Sequence, residues 1–141
     1  PLRDRFDLFV EMDRVDVASI TESNTENKQD SMDEEDSLLD QIQEARNRQT
    51  HRYGCTLTNS ALTAAQVKTS IKKHPSVEPL LSKAATSFGL SMRAVHRLLK
   101  VAQTIADLDG SDLVTTHHVA EALMFRPKRM NSTPVSESRM N

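Results

Sequence analysis

The first residues of the chain alternate between apolar and charged side chains. Phe6, Leu8, Val10 and Met12 take every second position, and this period of two predicts a β-strand within residues 1–13. Phe9 is also apolar, as in a strand that is covered on both faces. A strand must pair its backbone groups with a neighbour, but the rest of the pattern predicts helices. We therefore expect the partner strands to lie before Pro1, in a longer protein.

The pattern then loses its apolar positions over residues 14–36. Between Thr21 and Asp36 the chain carries seven acidic residues and one lysine, Lys28. Such a composition buries too little apolar surface to offset the entropy of ordering, which predicts a flexible acidic linker. The alternative is that its last residues begin a helix, where carboxylates oppose the positive end of the helix dipole.

Five amphipathic helices are predicted after the linker, at residues 37–53, 63–73, 76–88, 91–107 and 115–126. Thr63 with Gln66 forms a capping-box pattern, Ser91 is an N-cap, and Gly54 and Gly89 stop two of the helices. Short connections between such helices favour a compact bundle. The predicted fold class is therefore mainly all-α, with a helical domain at residues 37–126 and a disordered tail at residues 127–141.

Helical spacing also predicts which side chains face the core. The predicted inward positions are Leu38, Leu39, Ile42, Ala45 and Gln49; Val77, Leu80, Leu81, Ala84, Ala85 and Phe88; Val95, Leu98, Leu99, Ala102, Ile105 and Ala106; and Val119, Ala120 and Leu123, with Met124 or Phe125.

Composition excludes several classes of protein. The 141 residues suit one domain, and an aromatic content of 4% without Trp favours an aliphatic helical core. The single cysteine, Cys55, excludes an internal disulfide and fits a reducing compartment. No apolar run approaches the roughly 18 residues of a membrane span, so we expect a cytoplasmic protein without a membrane partner. The net charge of −2 argues against a protein that coats nucleic acid.

The sequence contains few candidate catalytic residues. The three glycines form no GxxxxGK[ST] phosphate loop, and the five histidines show no zinc-like spacing with Cys55. No serine or cysteine has a recognisable base nearby. We therefore predict that the fragment alone is not an enzyme and binds no metal.

Arginines are the strongest candidates for contact with a phosphate. Arg5 lies in the predicted strand, and Arg93 and Arg97 lie in the first turns of the longest amphipathic helix, followed by Lys100. A guanidinium is planar and permanently charged, which suits contact with two phosphate oxygens at once. The alternative for any one of them is an ordinary solvated side chain.

Three stretches resemble the magnesium-chelatase-like AAA+ ATPases, especially their ComM/YifB-like branch, which is related to magnesium chelatase subunit I and to MCM helicases. PLRDRFDLFVEM resembles the family's LLDRIDL strand, and EARNRQTHRYG its AARERQ..RFG helix. GLSMRAVHRLLKVAQTIADLDG with HVAEAL is similar to GLSARAYHRILRVARTIADLDG with HVAEAL. The matches follow the family's order over most of the predicted ordered length.

The resemblance implies an architecture and a set of roles. The strand would be the last piece of a nucleotide-binding α/β core, and the helices would form the C-terminal lid of that ATPase. ATP and Mg²⁺ would be bound by the core before Pro1, and the isolated fragment would bind neither. Arg5 would be an arginine finger that reaches the nucleotide of a neighbouring protomer in a hexameric ring. Arg93 would be the sensor-2 residue that contacts the γ-phosphate, with Arg97 as the second candidate.

Some positions depart from the family pattern. Arg3 stands where the family has an apolar residue, so the finger could be Arg3 or Arg5. Gln103 replaces a common arginine. The resemblance favours DNA over a metal–porphyrin as the substrate of the parent protein. The alternative function is a helical module without a nucleotide role, which binds DNA through Arg93, Arg97 and Lys100 or binds another protein.

Overall fold

The structure is a computed structural model and describes residues 6–14 and 28–126. The described residues contain five α-helices and a single 3₁₀ turn, and no sheet, which confirms the predicted helical bundle. The helices are α1 (Lys28–Tyr53), α2 (Ala64–Ser70), α3 (Val77–Phe88), α4 (Met92–Leu108) and α5 (Thr116–Met124), with the 3₁₀ turn Asn59–Ala61 between α1 and α2.

Helix α4 is the centre of the bundle. It packs against α1, the 3₁₀ turn, α2 and α5, while α3 packs against α5. Burial of aliphatic side chains at these contacts supplies the main driving force for folding. The core consists of Leu62, Val67, Ile71, Val77, Leu81, Leu98, Leu99, Ala102, Ile105, Ala106, Val114, Val119 and Ala122.

Helix α1 begins at Lys28, nine positions before the predicted start, and so includes the second half of the acidic stretch. This agrees with the alternative that the end of the acidic stretch begins a helix, since acidic residues are favoured near the positive end of a helix dipole. The predicted core face of this helix is only partly correct. Ala45 and Gln49 are buried, whereas Leu38, Leu39 and Ile42 are 57%, 62% and 48% exposed.

The predicted strand does not form over residues 6–14, where no strand is assigned. Phe6, Leu8, Val10 and Met12 are exposed, and the backbone N–H of Phe9 donates to the carbonyl oxygen of Phe125 at 2.8 Å. A strand requires a ladder of such bonds with a neighbouring strand, and the end of α5 does not supply one. Residues 1–5, the rest of the linker at 15–27 and the tail at 127–141 lie outside the described residues.

Helix α2 ends at Ser70, although the pattern predicted Lys73. The next residues turn into an extended bridge, in which the N–H of His74 donates to the Val114 carbonyl and the N–H of Val114 donates to the Lys72 carbonyl, both at 2.9 Å. Val114 is fully buried at this bridge. Tertiary pairing with the loop before α5 therefore replaces the last helical turn.

Two helix starts follow the sequence pattern closely. The Thr63 hydroxyl accepts from the N–H of Gln66 while the Gln66 side chain accepts from the Thr63 N–H, which completes the capping box. The Ser91 hydroxyl accepts from the N–H of Ala94 at 3.2 Å. Because these bonds satisfy otherwise unpaired amides, both starts are fixed by local chemistry.

The predicted buried face of the last helix, α5, is only partly correct. Val119 is buried as predicted, but Ala120 is exposed and Ala122 is buried in its place. His118 is also buried, because its Nδ1 accepts from the N–H of Thr115 at 3.0 Å as part of the helix cap. The buried face of α5 thus includes His118 and Ala122 and leaves out Ala120.

Candidate phosphate-contacting arginines and the buried polar cluster

Arg93 lies in the first turn of α4, directly after the Ser91 cap. The helix buries Ala94 and Leu98 in the bundle, and this leaves Arg93 exposed. Arg93 forms no ion pair with any residue in the described ranges, so its guanidinium is available to a ligand there. Such a guanidinium can hold a phosphate group by charge and by two parallel hydrogen bonds to two of its oxygens.

Arg97 lies one turn further along α4, on the side that Arg93 shares. Its side chain is only 23% exposed, and its Nε lies 3.8 Å from Oδ1 of Asp7. The structure therefore separates the two sensor-2 candidates: Arg93 is exposed to solvent, whereas Arg97 is engaged with the segment of residues 6–14. Arg5 and the competing candidate Arg3 lie outside the described residues.

Lys100 belongs to the same side of α4. Its Nζ donates to the carbonyl oxygen of Ser60 at 2.8 Å and so joins α4 to the 3₁₀ turn. The alternative DNA-contacting face of Arg93, Arg97 and Lys100 thus has two cations that already contact the chain.

A buried polar cluster, which the sequence analysis missed, lies where α1 meets the end of α4. The Asp107 carboxylate is fully buried and pairs with both terminal nitrogens of Arg52, with 3.1 Å between Nη1 and Oδ2. The same carboxylate accepts from Asn59 Nδ2 at 2.8 Å and from Gln103 Nε2 at 3.1 Å. A buried charge is tolerated only with this kind of pairing and hydrogen bonding.

Tyr53 completes the cluster by donating its hydroxyl to Oδ1 of Asn59 at 2.6 Å. Burial raises the pKa of Tyr53, and the neighbouring Arg52 opposes that rise without cancelling it. Burial alone would lower the pKa of Arg52, but its hydrogen bonds to Asp107 and Tyr53 outweigh the effect, so the pKa is raised. Both protons are therefore held firmly, which suits a structural cluster rather than an acid–base pair.

The sequence contained a signal for this cluster. Gln103 and Asp107 are four residues apart, which places two polar side chains on one side of an otherwise apolar helix face. Gln103 is fully buried, so the position that departs from the family pattern faces Asp107 and not solvent.

The described residues bring together no group of three or more histidine, cysteine or acidic side chains that could hold a metal ion. Within the same ranges, none of the helices combines the length and the apolar character needed to cross a membrane.

Most of the helical domain falls within a stretch of sequence that matches a known protein family. The family model described as "Magnesium chelatase, subunit ChlI C-terminal" matches residues 33–126. The chain is 33% identical over 126 residues to competence protein ComM of Haemophilus influenzae, a match that covers 89% of this chain and 23% of that protein. It is 31% identical over 126 residues to the uncharacterized protein YifB of Escherichia coli, with 89% of this chain and 24% of that protein covered. The chain thus spans about a quarter of the length of these curated relatives. Because the family model covers most of the chain, the chain belongs to the magnesium chelatase subunit ChlI C-terminal family.

Proposed function

We propose that this helical domain is the lid of a magnesium-chelatase-like AAA+ ATPase, and that Arg93 contacts the γ-phosphate of ATP. The observation that carries the proposal is the placement of Arg93, exposed in the first turn of a well-capped helix that is otherwise anchored in the bundle core. A rigid helix holds the guanidinium in a defined direction, which a sensor of phosphate requires.

In this proposal ATP and Mg²⁺ belong to another part of the parent protein, and the lid supplies a contact that depends on the nucleotide state. Loss of the γ-phosphate removes the partner of Arg93, so the lid has a different free energy in the ATP and ADP states. Asp7 and Arg97 join residues 6–14 to α4, and the backbone bond from Phe9 to Phe125 joins them to α5. Movement of the helices would be passed to that segment through these contacts.

Two further parts of the proposal come from the sequence. Arg5 is the arginine finger toward the neighbouring protomer of a hexameric ring, with Arg3 as its competitor. Removing such a finger lowers the rate of hydrolysis by roughly 10³–10⁵ in other systems. Of the variants Arg5→Ala and Arg3→Ala, the one that removes the finger should therefore show a loss of hydrolysis of this size, and the other should not. DNA remodelling is the proposed work of the parent, following the resemblance to the ComM/YifB-like branch.

The test replaces Arg93 with alanine in the full-length parent protein. We expect ATP hydrolysis to fall at least about tenfold, with affinity lost for ATP more than for ADP, because the guanidinium interacts with the terminal phosphate. Arg93→Lys should recover part of the loss, since lysine keeps the charge but not the two-point contact. Arg46→Ala is the matched control, an exposed arginine on α1. Wild-type hydrolysis and nucleotide affinity in Arg93→Ala would overturn the assignment.

The alternative DNA-contacting face has less support. Lys100 contacts Ser60 and Arg97 contacts Asp7, so DNA would have to replace contacts that stabilise the bundle. Salt-dependent DNA binding that Arg93→Ala and Lys100→Ala both weaken would favour this alternative over the lid.

A further inference from the structure

An open cleft of about 790 Å³ lies between the second half of α1, the end of α2 and the loop between α4 and α5. Four basic side chains line it: Arg48, His51, Arg52 and Lys72. Two carboxylates, those of Glu44 and Asp112, are also part of its wall. None of these residues belongs to the Arg93 site proposed above.

The basic side chains differ in how firmly they are held. Arg52 is committed to the buried Asp107 carboxylate. Lys72 and His51 are exposed and form no ion pair within the described part of the chain. The cleft therefore contains a lysine and an imidazole that are available to a ligand.

Within the described residues, both ion-pair partners of Arg48 are exposed carboxylates. Its Nη1 lies 3.1 Å from Asp112 Oδ1, and the Asp112 side chain is 87% exposed. Its Nε is buried without a hydrogen-bond acceptor, since Glu44 Oε1 is 3.7 Å away. Exposed ion pairs of this kind are weak, and a buried donor without an acceptor is unfavourable. A ligand with several oxygen acceptors can therefore compete with Asp112 for the terminal nitrogen Nη1 of Arg48.

The guanidinium of Arg48 lies beside the loop between α4 and α5. Gly110 has a φ of 70°, and a Cβ at that position would lie 3.6 Å from Nη2 of Arg48, which is ordinary van der Waals distance. Asp112 follows in the same loop, and its exposed carboxylate faces solvent as well as Arg48.

We propose that this cleft binds a phosphate group of a ligand through Arg48, Lys72 and His51, with Asp112 as the internal competitor that the phosphate displaces. A phosphate carries more charge and more acceptor oxygens than one carboxylate, and a guanidinium beside a lysine suits it in charge and geometry. The phosphate belongs to a nucleic-acid backbone or to a small phosphorylated molecule, and the experiment separates these sources.

The experiment measures binding to the 141-residue chain with three probes: a short fluorescein-labelled DNA oligonucleotide, ATP without magnesium, and inorganic phosphate. Lys72→Ala should weaken binding at least about threefold, and for DNA it should lower the slope of log Kobs against log salt by about 1. Asp112→Asn should tighten binding about threefold or more, because it removes the competing charge and leaves the loop in place. Lys83→Ala, an exposed lysine on α3 outside the cleft, is the matched control.

Each outcome decides the proposal. Opposite responses of Lys72→Ala and Asp112→Asn with the oligonucleotide support it and assign nucleic acid as the source. The same responses with only ATP or phosphate support it and assign a small phosphorylated ligand. Equal behaviour of Lys72→Ala and Lys83→Ala, or an Asp112→Asn variant that binds no better than wild type, overturns it. Binding that is weakened only by Arg93→Ala and Lys100→Ala also overturns it. A negative result for this cleft leaves the Arg93 proposal intact.

Discussion

Arg52 at the end of α1 and Asp107 at the end of α4 form a two-point ion pair in which the carboxylate is completely buried. They are 55 residues apart in the chain, so the pair fixes how these two helices meet. Asn59 and Gln103 satisfy the remaining acceptor positions of the carboxylate. The cluster therefore stabilises the contact between α1 and α4 within an otherwise aliphatic bundle.

We predict that Arg52→Ala lowers the free energy of unfolding by about 3–5 kcal/mol, because it leaves a buried carboxylate without its cation. Urea denaturation followed by far-ultraviolet circular dichroism measures the change. Arg46→Ala, at an exposed position on the same helix, should stay within about 0.5 kcal/mol of wild type. Equal effects of the two substitutions would contradict a stabilising role of the Arg52–Asp107 pair.

The raised pKa of Tyr53 predicts a loss of stability in alkali. The hydroxyl titrates above its ordinary value of 10.0 in the folded chain, because burial disfavours the phenolate. Its contribution is fully present below pH 10.0, the unfolded value, and disappears as the pH rises through the folded pKa. Tyr53 is the one tyrosine of a chain without Trp, so absorbance of the phenolate reports it directly.

Two controls accompany the tyrosine titration. The same chain in concentrated urea should titrate near the ordinary value. Tyr53→Phe should remove the part of the alkaline stability loss that is due to the phenol. A folded-state midpoint at or below that of the unfolded chain would contradict the prediction.

Leu98 and Leu39 occupy equivalent positions in the apolar pattern but different environments. Leu98→Ala should cost about 2–5 kcal/mol of unfolding free energy, because Leu98 is buried in the core. Leu39→Ala should change stability by about 0.5 kcal/mol or less, since Leu39 is exposed. Thermal denaturation of both variants distinguishes them, and a large loss in Leu39→Ala would place α1 deeper in the bundle than the structure does.

The contact between Asp7 and Arg97 predicts a small coupling. A double-mutant cycle with Asp7→Asn and Arg97→Ala should give an interaction energy of about 0.2–1 kcal/mol, as expected for a partly exposed ion pair. The cycle that combines Asp7→Asn with Arg93→Ala serves as the control and should give none. Equal coupling in both cycles would mean that Asp7 acts through the general field of α4 and not through this contact.

Much of the bundle could be predicted because local chemistry decides it. The cap of α2 at Thr63 and that of α4 at Ser91 depend on residues within a few positions of each other. The end of α3 at Gly89 depends on its left-handed backbone, with a φ of 59°. Such features are visible in the sequence before any tertiary contact is known.

The errors have a common cause, which is that periodicity does not show what lies opposite a face. Leu39 has the spacing of a core residue, yet among the described residues its side chain is 62% exposed. Lys72 and Lys73 continue a helical pattern, yet the backbone on either side of Lys73 pairs with Val114. The alternation of residues 6–14 indicates a strand, yet a strand forms only where another strand accepts its hydrogen bonds.

The sequence by itself determined the order of the helices, the caps at Thr63 and Ser91 and the family, because the period of the apolar positions and the capping residues act over one or two turns. It also indicated that arginines are the residues to consider for phosphate contact. Only the tertiary structure decided which arginines are exposed and which are paired. Arg93 is exposed to solvent, Arg97 pairs with Asp7, and Arg52 pairs with Asp107. The physical reason is that the environment of a charge depends on residues distant in the chain, and packing alone brings those residues together.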